Sequence, residues 1–164
     1  MRCVLENNNS EFDIVEHVGM LNGYFEAMSL LNNHPNYKHC YSIGTIDLPV
    51  DNVCSELSEI FDIKIHGLKE IDDYLPVIEK DFNELMLKNF LNLPDFQINE
   101  EVCHLKENLI WHAVEYITWL DEFTNSFAMK MAEIIDSDSL HDKLYLFFID
   151  EKYLVYLNIC IENS

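Results

Sequence analysis

Residues 144–161 constrain the fold more than any other stretch of the chain. Leu144 to Ile149 and Tyr153 to Ile161 are runs of aliphatic and aromatic residues. Asp150-Glu151-Lys152 separates them, and the pattern predicts a β-hairpin. Leu144, Leu146 and Phe148 alternate with Tyr145, Phe147 and Ile149, so both faces of the first strand are apolar. Such a hairpin needs cover on both sides, or cover on one side and a partner on the other. The rest of the chain must supply that cover, and its patterning is mostly helical.

A first helix is expected from Glu11 to Asn32, with Ser10 and Asp13 spaced as a capping box. Phe12, Val15, Val18, Leu21, Phe25, Met28 and Leu31 step by three and four. Gly19 and Gly23 have GxxxG spacing within it, which predicts close helix packing. Tyr41 to Leu48 reads as a strand ended by Pro49. Asp51 or Asn52 caps a second helix containing Val53, Leu57, Ile60 and Phe61, and Gly67 is expected to close that unit. Leu68 to Leu93 has a helical pattern interrupted by Pro76, so a short helix to Tyr74 and a new one from Pro76 are expected. The longest helical signal runs from Asn99 or Glu100 to Ile135, and unbroken it would extend roughly 50 Å. Thr124-Asn125-Ser126 is its natural break. Arg2 to Leu5 is a candidate edge strand. The expected architecture is one α+β domain spanning 1–164: several helices, one of them long (about 100–135), on a small, mostly antiparallel sheet with a C-terminal hairpin.

Charge narrows the function. Thirty Asp and Glu stand against ten Lys and Arg, giving a net charge of −20 over 164 residues. Direct nucleic-acid binding is excluded, because a polyanion must be met with Lys and Arg and this chain has one Arg. The excess of one sign goes beyond what solubility asks, a magnitude of roughly 2–8 for a small domain. It suits fast association with a cationic protein surface. On the long helix the core stripe is expected to centre on Leu109, Tyr116 and Phe127. Glu107, Trp111, Glu115, Thr118 and Glu122 fall on the reverse side. An aromatic anchor rimmed by charge is the pattern of an interface hot spot. The expected partner-binding residues are therefore Trp111 with Glu107, Glu115 and Glu122, then Asp72, Asp73 and Tyr74 near the Pro76 break. The alternative for Trp111 is burial under a second layer.

Catalytic and metal signatures are sparse. Glu101 and His104 have ExxH spacing, which a carboxylate-bridged metal pair would use, but a second such motif is missing. His34, His39 and Cys40 gather in seven residues without a visible fourth ligand. Phosphate loops, GxSxG and HExxH are all missing from the sequence. No cofactor and no metal site is expected. The start of the chain has no apolar run of signal-peptide length, and no run reaches a membrane span. Five Cys without a CxxC pair read as reduced thiols, so the cytoplasm is the expected compartment. Sixteen Asn against a single Gln hint at an A/T-rich, bacterial or phage coding sequence.

The expected function is a non-enzymatic inhibitor, an antitoxin-like immunity protein. It would neutralise a basic toxin or nucleic-acid-handling effector, for example a nuclease, by occluding its cationic cleft. Three alternatives stand beside it: a nucleic-acid mimic from a phage acting on a restriction or CRISPR complex, a metal-dependent helical enzyme using Glu101 and His104, and an assembly subunit joined through the hairpin.

Overall fold

The computed structural model describes residues 13–32, 34–86, 99–136 and 141–164. The elements run α1 (Ile14–Leu31), β1 (Tyr37–Asp47), α2 (Val53–Phe61), β2 (Lys64–Ile71), α3 (Tyr74–Asp81), a π-helical turn (Phe82–Met86), α4 (Glu100–Glu122), β3 (Phe127–Asp136), β4 (His141–Ile149) and β5 (Tyr153–Asn163). The strands form one five-stranded antiparallel sheet in the order β1-β5-β4-β3-β2. The α+β class with a C-terminal hairpin is the one expected.

Local chemistry accounts for several element ends. Asp13 caps α1, its Oδ1 accepting from the Val15 and Glu16 amides at 2.9 and 3.1 Å. Ser10, the expected cap, and the candidate strand Arg2 to Leu5 lie outside the described residues. Asn52 caps α2 by accepting from the Ser55 amide, as expected. That helix ends at Asp62 in the left-handed region (φ 51°), not at Gly67, which lies inside strand β2. Pro76 sits in the first turn of α3, where its missing N–H does no harm. In the hairpin turn Asp150 and Glu151 both have positive φ, at 52° and 55°. Gly44 lies opposite Tyr156, and a side chain at position 44 would run into that tyrosine ring.

Two expectations are corrected. Lys64 to Ile71 is a strand, although Leu68 onward has a helical pattern. The long helix stops at Glu122, and Phe127 to Asp136 is strand β3, seated between β2 and β4. The break falls at Thr124-Asn125-Ser126, where the sequence allowed one. The Asp150 carboxylate accepts from the Asn125 and Ser126 amides, each at 2.8 Å, and the Asp150 amide donates to the Ser126 carbonyl. The hairpin turn thus holds the corner open and feeds the following residues into the sheet.

The sheet's two faces are covered unequally. Tyr41, Ile43, Met129, Tyr145, Phe147, Val155, Leu157 and Ile159 pack under α1, α3 and α4. On the other face Leu144, Leu146, Leu154 and Ala132 pack with Leu57 of α2. The GxxxG pair is also corrected: a Cβ at Gly19 or Gly23 would meet nothing within 4 Å, so neither mediates close packing.

Candidate functional site

Helix α4 carries the site. Asn99 caps it, accepting from the Val102 amide at 3.0 Å. Its buried stripe is Ile110, Ala113, Ile117 and Leu120, with Val114 beside it. This corrects the expected centre: Leu109 and Tyr116 lie at the stripe's margin, and Phe127 is on β3. Tyr116 is held there by α1: His17 Nε2–H donates to its carbonyl at 2.9 Å, and the Tyr24 hydroxyl donates to the Leu109 carbonyl at 2.9 Å.

Opposite that stripe, Glu100, His104, Glu107, Trp111, Glu115, Thr118 and Glu122 follow one another at three- and four-residue steps. Trp111 is 57 % exposed, and no second layer covers it among the described residues, so the buried alternative fails. Its ring meets only the neighbouring His112, centroids 4.8 Å apart, among the described aromatic contacts. His104 lies 3.8 Å from Glu100 and 3.4 Å from Glu107, and His112 lies 3.6 Å from Glu115. These are exposed neighbours worth little to stability. Phe123 is exposed to the same degree as Trp111 at the helix end, and Trp119 packs edge-on between Tyr116 and Phe123.

Asp72, Asp73 and Tyr74 come to the C-terminal end of this helix. The Tyr74 hydroxyl donates to Asp121 Oδ2 at 3.1 Å, and its ring tilts against Phe127 at 5.1 Å. Burial first, then the Asp121 charge and hydrogen bond and the Glu122 charge, push the Tyr74 phenol pKa upward. Glu70, Asp72, Tyr74, Asp121, Phe127 and Lys130 are among the walls of a cavity of about 330 Å³. Lys130 is the cation within it, bound to Glu70 at 3.2 Å. Asp73 is exposed and makes no capping hydrogen bond to α3. A second, largely apolar cavity of about 440 Å³ lies next to the first and shares Phe127 and Ala128 with it. Glu107, Trp111, Glu115 and Glu122 therefore form one ridge along α4, while Asp72 and Tyr74 line an acidic hollow at its end and Asp73 lies outside that lining.

The metal candidates are dispersed. His104 is engaged with Glu100 and Glu107 and not with Glu101. His39 is buried, its Nδ1 2.7 Å from the Tyr41 hydroxyl, while Cys40 points to the opposite sheet face and His34 stacks on Tyr37. Among the described residues, no group of three or more His, Cys, Asp or Glu side chains could hold a metal ion.

One cluster was not legible as a site. Asp81 is buried at the end of α3. It accepts from Lys143 Nζ at 2.6 Å and from the Tyr145 hydroxyl. The available signal was alternation: Lys143 shares a strand face with Tyr145 and Phe147, so its ammonium had to meet a carboxylate. This trio ties α3 to β4 and is structural.

No protein-family model, no curated protein and no solved structure matches this chain. Among the described residues, no helix is long and apolar enough to cross a membrane.

Proposed function

We propose that this chain is a non-enzymatic acidic inhibitor that binds a basic protein toxin or effector, a nuclease in the simplest case, and blocks its cationic cleft. The observation that carries the reading is the α4 ridge: an uncovered Trp111 set in a line of four glutamates, opposite the face that builds the core. Trp111 would enter an apolar notch of the partner, and Glu107, Glu115 and Glu122 would pair with Lys and Arg around it. The acidic hollow of Asp72, Tyr74 and Asp121 would take a further basic side chain at the end of the ridge. Such a partner, and the reduced thiols, fit work in the cytoplasm.

Spacing favours a protein partner over mimicry of nucleic acid. Glu100, Glu107, Glu115 and Glu122 are seven or eight residues apart, so about 11 Å at 1.5 Å per residue. One strand of a duplex carries a charge about every 3.4 Å along the axis, roughly three times as dense.

The test begins with the basic protein that co-purifies with the tagged chain from its native host. Association should slow steeply as salt rises. Trp111→Ala and the double reversal Glu115→Lys with Glu122→Lys should each weaken binding at least tenfold. Their melting temperatures should stay within a degree or two of the parent's, because surface changes cost about 0.5 kcal/mol or less. Salt-independent association, or wild-type affinity in all these variants, would remove the ridge from the interface.

A further inference from the structure

Two thiols face each other across the edge of the sheet. Cys40 of β1 pairs directly with Cys160 of β5 in an antiparallel register that runs from Tyr37↔Asn163 to Asp47↔Tyr153 without a shift. Directly opposed residues put their side chains on the same face. That face is the one where α2 packs further along, and both cysteines are half-buried. Opposed Cα atoms in an antiparallel pair lie about 4.5 or 5.5 Å apart, depending on the ladder position. Either value falls within the roughly 4.4–6.8 Å that a disulfide spans. The other described cysteines, Cys54 in α2 and Cys103 in α4, have no such opposite number.

We propose that Cys40 and Cys160 form a redox-modification site, in which a hydroperoxide converts the two thiols to a cross-strand disulfide that clips the edge strand β1 to β5. The Cys40 sulfur attacks the peroxide, the O–O bond breaks, and a sulfenic acid and one water (or alcohol) result. The Cys160 sulfur then attacks the Cys40 sulfur, the S–O bond breaks, and the hydroxyl leaves as water with the Cys160 proton. The balance is two thiols and one peroxide to one disulfide and two molecules of water or alcohol and water.

The surroundings set this order. Cys160 Sγ lies 3.7 Å from Glu162 Oε1 and donates to it. Burial, then Asp142 and Glu162, raise its pKa to about 12, so it waits as a thiol and resolves rather than initiates. The two carboxylates take the Cys160 proton from the sulfur and hand it to the departing hydroxyl, so the balance is unchanged. Lys38, 4.0 Å from Glu162, is the cation beside them. The clip has a purpose in the fold. β1 is an outer strand among the described residues, with β5 its one strand neighbour and Asn22 of α1 accepting from its Ile43 amide, and an edge paired on one side is where a sheet frays or recruits another chain.

The test uses the full chain. Native protein is treated with hydrogen peroxide, its remaining thiols are alkylated, and linked peptides are mapped by mass. The expected product is a Cys40–Cys160 linkage, with Cys3, Cys54 and Cys103 still alkylated, reversed by dithiothreitol. Oxidised wild type should melt several degrees above the reduced form, a comparison that needs no variant. Cys40→Ser and Cys160→Ser should each abolish the linkage while melting close to reduced wild type. Alkylation of both thiols after peroxide overturns the proposal. So does a linkage through Cys3, Cys54 or Cys103, or a stable sulfinic acid at position 40.

Discussion

The two faces of the sheet teach different things. The face under α1, α3 and α4 gathers most of the buried side chains, including Phe25, Phe82, Tyr145 and Phe147. Among the described residues, the other face is covered by α2, over Leu144, Leu146 and Leu154. Toward Cys40, Ser42, Asn158 and Cys160 it is half-open. Among the described residues, burial is therefore concentrated on one side. A hairpin apolar on both faces solved its covering problem with one thick layer and one thin one.

The widest gap should appear at neighbouring positions of β4. Phe147 is fully buried and stacked on Phe127; Phe148 points the other way, half-buried beneath Lys130. Phe147→Ala should cost about 3–5 kcal/mol in urea unfolding. Phe148→Ala should cost roughly 1–2 kcal/mol. Equal losses would break the asymmetry.

The corner between α4 and β3 joins the thick layer to the sheet, and Asp150 holds it. Asp150→Ala should cost about 1–2 kcal/mol, since two amides lose their acceptor. Asp150→Asn should recover most of that, because Asn keeps an acceptor oxygen and tolerates the left-handed backbone. No recovery would mean that charge, and not geometry, holds the corner.

The smallest effect separates the faces by pH. On the helix side, burial and then Tyr116 raise the Tyr24 phenol from 10.0 to about 12. On the open side, the Cys160 thiol rises from 9.0 to about 12. Both groups are neutral when protonated and the fold favours that form. Their contribution is whole below the unfolded pKa and is lost as pH climbs to about 12. Alkaline unfolding should begin to slope near pH 9, and Cys160→Ser should move the onset toward pH 10. An unchanged onset would place the first loss elsewhere.

Much of the fold was legible locally. The caps at Asn52 and Asn99, the place of Pro76 in the first turn of α3 (two residues after its start at Tyr74) and the hairpin at 150–152 each follow from a few adjacent residues. The exposed Trp111 among glutamates could be read because helical period fixes which residues share a face. The misreadings share a cause. Phe127-Ala-Met-Lys-Met-Ala-Glu is rich in helix formers, and Leu68 onward repeats at helical spacing, yet both lie next to strands of the sheet. Propensity amounts to tenths of a kilocalorie per residue, while a place in the sheet pairs backbone amides with a neighbouring strand and packs side chains against its neighbours.

The sequence by itself determined which residues must be covered, where the chain is free to turn, and that its exterior is anionic, because these follow from side-chain chemistry and nearest neighbours. Only the tertiary structure decided that 127–136 is a strand, that Asp81 meets Lys143, and that Cys40 stands opposite Cys160. Each depends on partners more than a dozen residues away, and no local period records that distance.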